Sequence, residues 1–303
     1  MASAGLAQVG QCGSAQPLSK WLRTDATEGS ADILIVDEAY QCTYADLGAL
    51  GSMTSQVVCV GDPGQIDPVV TGDTSRWAGS PTGPHLPAPT ALMAAHPDVV
   101  TTVALTHTWR LGQDTTALVS GAFYPELPFT SRRPPEHITH HRRKLPEIMH
   151  RVVSVADGPN DPIITTTVVN RVRELIDTGV YTTESGVRPL TEQDMAVVVP
   201  HVSQACAIRA MLADYPDVLV GTANALQGLE RAACIAVHPM AGKREAEEFA
   251  LDTGRLCVML SRHRSSLSIV LDAQTADVLA NDDSQAACDA QNVLTELLAT
   301  AVF

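Results

Sequence analysis

Aromatic side chains are scarce in this 303-residue chain: phenylalanine, tryptophan and tyrosine together make up 4% of it. Extensive base-stacking platforms are therefore not expected, because such surfaces need several exposed rings. Positive charge is short too. Twenty lysines and arginines stand against 34 acidic residues, for a net charge of −14, whereas proteins that track a phosphate backbone ordinarily carry a basic footprint. No apolar run reaches the length that spans a bilayer. The start, Met1-Ala2-Ser3-Ala4-Gly5, has neither the charged nor the apolar region of a secretion signal. The seven cysteines (Cys12, Cys42, Cys59, Cys206, Cys234, Cys257 and Cys288) are scattered, with no Cys-x-x-Cys pair. That pattern argues against a zinc site and for reduced thiols. The expected location is the cytoplasm, with no membrane partner.

Apolar residues are plentiful, at 45% of the chain, and the length suffices for two domains with separate cores. The most telling run is Ile33-Leu34-Ile35-Val36, followed at once by Asp37 and Glu38. Such a run reads as a fully buried strand of a parallel sheet, and ligands bind at the carboxyl ends of such strands. One carboxylate there can hold Mg²⁺ and its neighbour can orient the attacking water of a nucleotide hydrolase. The same residues also suit an ordinary acidic turn. A second run, Val57-Val58-Cys59-Val60, ends in Gly61-Asp62-Pro63-Gly64-Gln65. The spacing between the two suits a strand–helix–strand unit.

These two segments look like the second and third motifs of a helicase: Asp37-Glu38-Ala39-Tyr40-Gln41 in the DEAxQ form, then the GDxxQ form. Thr108-Trp109-Arg110 resembles the fourth motif. Val220 to Glu230 (VGTANALQGLE) is close to the fifth, and Arg255 to Arg264 (RLCVMLSRHR) to the sixth. The five occur in the family's order between about Ala31 and Leu271, so the chain resembles a superfamily-1 helicase, nearest to the nonsense-mediated-decay helicase-like group.

The resemblance implies an α/β fold of two RecA-like parallel-sheet domains facing a nucleotide cleft. It also implies ATP and Mg²⁺ as cofactors and single-stranded nucleic acid, DNA or RNA, as partner. Asp37 would hold Mg²⁺, and Glu38 would be the general base or water-positioner. Gln65 would couple the γ-phosphate to domain movement. Arg110 and Arg262 would set guanidinium groups on that phosphate, a role worth about 10³–10⁵ in rate, while Arg264 has the weaker claim. Gln41, Gln227, Gly228 and Glu230 would lie against the nucleotide, Glu230 accepting a ribose hydroxyl. Thr222 would bond a nucleic-acid phosphate. Trp109 reads as a core or interface ring rather than a base stacker.

The phosphate-cradling pattern Gly-x-x-x-x-Gly-Lys-Ser/Thr, whose amides and lysine hold the phosphates, does not occur. The one Gly-Lys pair, Gly242-Lys243, continues into Arg244. Only 36 residues precede Asp37, too few for that loop, its helix and the intervening strands. The first domain is therefore expected to be incomplete, with the loop supplied by a partner protein or an upstream segment. The alternative is a non-hydrolytic binding or assembly module. A nuclease is disfavoured, since no carboxylates cluster beyond Asp37 and Glu38.

From Arg132 to Arg151, six basic residues oppose two acidic ones, a local balance of +4. Arg142 and Arg143 there are candidates for a nucleic-acid backbone contact, although a solvated loop and helix face near an interdomain linker explains the charge as well. The neighbouring His137, His140 and His141 lack a metal-ligand pattern. Prolines between Tyr124 and Pro135 set the expected domain boundary, 1–128 and 129–303. Pro81 to Pro89 reads as a loop and Val99 to Leu105 as a strand. Further on, helices are expected over 168–177 and 203–213. Strands are expected over 196–200, 218–220, 235–237 and 267–271, and a polar-then-helical tail from 281.

Overall fold

The apolar runs before Asp37 and Gly61 do form strands, and they pair in parallel. In the computed structural model, which describes residues 15–22 and 29–303, β1 (Leu34–Val36) lies beside β2 (Val57–Cys59), with Leu34 opposite Val57 and Val36 opposite Cys59. The helix Tyr44–Leu50 connects them. It starts where the Thr43 hydroxyl accepts a hydrogen bond from the Asp46 amide, satisfying an otherwise orphaned donor. Proline suits a first helical turn, and the helix Ala88–Ala95 carries Pro89 there. The expected loop over 81–89 therefore ends at Pro87. Cys42, Leu47 and Ala88 form a small core, with Leu34, Val36, Cys59 and Leu92 packed against it.

That core covers one face of the strand pair. Leu34 and Val36 point into it, while Ile33 and Ile35 point away, and Ile35 is 67% exposed. The expectation of a fully buried strand is corrected accordingly. A two-stranded sheet backed on one face buries alternate residues, whatever the apolar content of the run. A second correction concerns Val99 to Leu105. No strand forms there, and Val103 and Leu105 are more than 80% exposed. β-branched composition favours a pleated surface, but a strand also needs a neighbour to take its N–H and C=O groups. Among the described residues, β1 and β2 pair only with each other.

Met1–Val103 and Ala104–Phe303 separate as two compact units. The expected boundary at 128/129 falls inside the second. That unit is built on a six-stranded sheet in the order β11-β10-β12-β13-β7-β14. Its strands are β7 (Ile148–Val153), β10 (Met195–Val199), β11 (Leu219–Thr222), β12 (Arg231–Val237), β13 (His263–Asp272) and β14 (Ala301–Val302). Every pairing is parallel, so the α/β parallel-sheet class expected from the sequence is what the chain adopts, and the architecture fits a RecA-like domain. Burial is nearly complete from Met195 to Val199 and from Ala232 to Val237, as expected for strands covered on both faces. The helices Pro162–Thr178 and Val202–Met211 contribute Ile164, Val168, Val172 and Ile208 to that core. The helix Gln285–Leu298 buries Ala287, Ala290, Val293, Leu294 and Leu297, a spacing that gives one apolar stripe.

Two smaller sheets complete the unit. β3 (His107–Thr108) pairs with β4 (Thr130–Ser131). A four-stranded antiparallel sheet runs β6-β5-β8-β9, from β5 (His137–His140), β6 (Arg143–Lys144), β8 (Val180–Thr183) and β9 (Gly186–Pro189). The basic stretch read as loop and helix face is therefore strand and hairpin. Among the described residues no helix is long and apolar enough to cross a membrane.

Candidate nucleotide and nucleic-acid site

In the first unit, Asp37 and Glu38 leave the end of β1 into a single turn of 3-10 helix, Ala39–Gln41. Glu38 takes a left-handed backbone, φ 53°. This is uncommon for a residue with a Cβ and is concentrated at functional loops. The Glu38 amide donates to Asp37 Oδ1 at 3.0 Å, and Gln41 Nε2 donates to Glu38 Oε2 at 3.2 Å. Both carboxylates are exposed. The second loop comes close behind the first: Ala39 N–H donates to the Val60 carbonyl, and Val60 N–H to that of Val36. The space at Gly61 is tight: a Cβ there would lie 3.0 Å from both Ala39 N and Tyr40 Cδ2. Asp62 organises the loop, accepting from Gly64 N–H at 3.0 Å and from Gln65 Nε2 at 2.6 Å. Burial, with Asp62 beside it, pushes the Tyr40 hydroxyl above its ordinary pKa. Asp37, Glu38, Gln41 and Gln65 thus share one rim of β1 and β2.

Mg²⁺ is typically held by one or two carboxylates, with waters and substrate phosphates completing its shell. Asp37 fits that donor set. Among the described residues no group of three His, Cys, Asp or Glu side chains could hold a metal by itself.

In the second unit, Thr108 shapes the turn that presents Arg110. Its hydroxyl accepts from Arg110 N–H at 3.3 Å and Leu111 N–H at 3.5 Å. Arg110 Nε then donates to Glu230 Oε2 at 2.7 Å, and its Nη1 to the Ser261 carbonyl at 3.4 Å. Arg264 Nη1 donates to the other oxygen of Glu230 at 3.0 Å. Residues 120 and 34 positions from Glu230 thereby meet on one carboxylate. Burial raises the Glu230 pKa, but the hydrogen bonds and charges of Arg264 and Arg110 outweigh it and hold the carboxyl below its usual range.

The two arginines of the SRHR segment part company. Arg262 is 2% exposed, with Nε on the Val258 carbonyl at 3.0 Å and Nη2 on Ser261 Oγ at 2.9 Å. Arg264 reaches the surface beside Arg110. Arg264, the weaker phosphate candidate with a solvent-facing alternative, is one-third exposed, whereas Arg262, the stronger candidate, is buried. Trp109, expected in a core or interface, is 64% exposed.

Sequence reasoning missed what stands behind Arg264. Its Nε and Nη2 donate to the two oxygens of Glu136 at 3.0 and 3.4 Å. Tyr181 donates to Glu136 Oε2 at 2.6 Å; burial and that carboxylate push the Tyr181 hydroxyl up to about 12. Arg133 bridges Glu136 to Glu147. Glu147 Oε2 accepts from the Thr115 amide at 3.1 Å, and Thr115 Oγ1 lies 2.9 Å from His263 Nε2. Glu136 and Glu147 entered the sequence reading only as charges. Their isolation within a basic stretch was the available signal.

Thr222 ends β11 and caps the short helix Ala223–Leu226, its hydroxyl accepting from the Ala225 amide at 3.4 Å. Gln227 follows. Gly228 has φ 75°, a left-handed value that glycine adopts freely, and carries the chain to Glu230. Arg142 and Arg143 lie at the tip of the β5–β6 hairpin. His140 pairs with Arg143 across a two-residue turn of His141 and Arg142, both at positive φ. Asn and Gly usually fill such turns. Both arginines are exposed, apart from the Arg110–Glu230 cluster in sequence and carried by a different sheet.

No curated protein matches the chain. Among solved structures it is similar to an Arterivirus nonstructural protein 10 (helicase), at 15% identity and TM-score 0.41, covering 82% of this chain and 40% of that one. The PRRSV helicase is similar at 15% identity and TM-score 0.41, with 87% and 49% covered. The complex of Arterivirus nonstructural protein 10 with DNA gives 15%, 0.40, 82% and 41%. The chain thus spans less than half the length of each of these structures. The family model described as an AAA domain matches residues 91–274, more than half of the sequence, and the chain belongs to the AAA domain family.

Proposed function

We propose that this chain is part of the ATP-dependent core of a superfamily-1 helicase or translocase of the DEAxQ type, acting on single-stranded nucleic acid. The observation that carries the reading is the meeting of Arg110, Glu230 and Arg264. They come from three separate segments that resemble the fourth, fifth and sixth helicase motifs, and chance folding has no reason to gather them. AAA domain membership supports nucleotide chemistry in general.

In this reading the first unit supplies Asp37 for Mg²⁺, Glu38 to orient the attacking water, and Gln41 and Gln65 as polar contacts. ATP, when bound, supplies the γ-phosphoryl group and the free energy. In the second unit, Arg110 would donate to a nucleotide phosphate and Glu230 accept from a ribose, beside Gln227 and Gly228. Arg264, half-buried, meets Arg110 on Glu230, and Arg262 would have to leave its bond to the Val258 carbonyl to reach a phosphate. Thr222 and the hairpin arginines Arg142 and Arg143 contact the nucleic-acid backbone; such contacts position without reading sequence. The phosphate-cradling loop comes from further polypeptide, a partner or an additional segment.

The net charge of −14 favours one second reading, a binding or assembly module that completes a partner without hydrolysing nucleotide. The two separate on ATP turnover by the natural assembly containing this chain. Single-strand-stimulated turnover that vanishes in Glu38→Gln supports the hydrolase. An assembly that binds nucleic acid and never turns over ATP supports the module.

A further inference from the structure

We propose that Glu230 is a resident stand-in for a phosphate: it fills an anion cradle formed by Arg110 and Arg264 and is displaced from Arg110 by an arriving polyphosphate. The proposal rests on the nucleotide reading above and deepens it. The cradle lies wholly within the second unit.

Three observations point this way. First, the two arginines are anchored unequally. Arg264 keeps a two-pronged contact with Glu136, which is itself buried and held by Arg133 and Tyr181. Arg110 is held by Glu230 at 2.7 Å and otherwise by one long bond to the Ser261 carbonyl. If Glu230 lets go, Arg264 stays and Arg110 is released. Second, all three side chains are reachable, with Arg110, Glu230 and Arg264 each about one-third exposed. Ion pairs at that depth are shallow, so a multiply charged phosphate competes with a single carboxylate. A guanidinium fork also matches phosphate oxygens in pairs. Third, the ion pairs join equal numbers of charges: Arg110, Arg133 and Arg264 face Glu136, Glu147 and Glu230. Arg231, on the Glu230 carbonyl, and Arg262 add positive charge beside them. Removing the Glu230 charge leaves the accessible rim more positive, on a chain whose net charge is −14.

The test uses inorganic tripolyphosphate, which has no ribose for Glu230 to bind, with ATP in a parallel series. Titration calorimetry at low salt compares wild type, Glu230→Gln, Arg110→Gln and the double variant. Glu230→Gln should bind tripolyphosphate at least about threefold more tightly than wild type, and Arg110→Gln should remove that gain. Glu230→Gln binding no tighter than wild type, or a gain that survives in the double variant, overturns the latch. Wild-type protein gives a second measurement that needs no substitution at Glu230. In nitrogen-15 spectra, tripolyphosphate should move the Arg110 Nε–H resonance further than that of Arg264, whose Nε stays on Glu136. An unmoved Arg110 resonance at saturation overturns the proposal. ATP turnover is scored separately, on the natural assembly containing this chain. A tightened cradle without turnover keeps the latch and removes the hydrolase reading; turnover with an unchanged Glu230→Gln does the reverse.

Discussion

The two units treat the same kind of sequence differently. In the second, apolar runs such as Met195–Val199 and Arg231–Val237 become inner strands of a six-stranded sheet and disappear from solvent. In the first, Ile33–Val36 and Val57–Val60 look just as buried on paper, yet among the described residues they pair only with each other and leave Ile35, Val58 and Val60 exposed. An apolar run therefore specifies a strand in both places. Whether that strand is covered depends on neighbours it does not itself encode.

The largest expected effect tests that contrast. Ile235→Ala, at a fully buried position, should cost about 2–5 kcal/mol in urea unfolding, whereas Ile35→Ala should cost below about 1 kcal/mol. An equal loss at Ile35 would mean its outer face is covered in solution.

Acid sharpens the comparison next, because both deeply buried histidines with strongly lowered pKa values lie in the second unit. Burial pushes His238 down to about 4. Burial, helped by Arg133, Arg110 and Arg262, pushes His263 down to about 3. The folded state keeps both neutral, while the unfolded chain takes up protons below about pH 6.5. Their contribution is thus intact above that pH and is lost as pH falls toward the folded values, at about 1.4 kcal/mol per pH unit for each histidine. Melting followed from pH 7 to pH 5 should show the second unit losing stability, less steeply in His238→Gln. A flat profile would contradict the burial of both rings.

A paired glycine experiment is smaller. Gly242 has φ 81°, and a Cβ there would come within 2.4 Å of the Gly158 carbonyl carbon, so Gly242→Ala should cost about 1–3 kcal/mol. Gly48 lies in the helix Tyr44–Leu50 with open space around it, so Gly48→Ala should stabilise the first unit by about 0.5–1 kcal/mol. Thermal melts of the two variants should shift in opposite directions. The smallest effect is chemical. Cys206 and Cys288 are exposed, whereas burial pushes the Cys42 thiol up to about 11 and the Cys234 thiol up to about 12. Among the six cysteines of the described residues, mass mapping after brief alkylation should find label on Cys206 and Cys288 first, and early label on Cys234 would show that its sheet opens.

Much of the second unit was legible because its strands are uninterrupted apolar runs. The expected strands over 196–200, 235–237 and 267–271 all fall on β10, β12 and β13 to within a few residues. The antiparallel sheet was not legible, since β5 is His-Ile-Thr-His and its burial is shared with charged partners such as Glu174. The segment Val99 to Leu105 misled for the opposite reason, having strand composition without a partner. At the candidate site, the residue types and their order were readable, as was the tight backbone geometry at Gly61. The choice of Arg264 as the outward arginine of SRHR was readable as its solvent-facing alternative, but its partners Glu136 and Glu230 were not. That choice is made where the helix Thr253–Leu260 hands over to β13, whose alternation turns His263 inward and Arg264 toward Glu136 and Glu230. Alternation is only interpretable once the strand's start is known.

ATP hydrolysis by the natural assembly containing this chain, with and without single-stranded nucleic acid and beside Glu38→Gln, tests the functional reading most directly. The account predicts turnover that the single strand stimulates and that Glu38→Gln abolishes while nucleotide still binds. Turnover that persists in Glu38→Gln, or an assembly that never hydrolyses ATP, would contradict it.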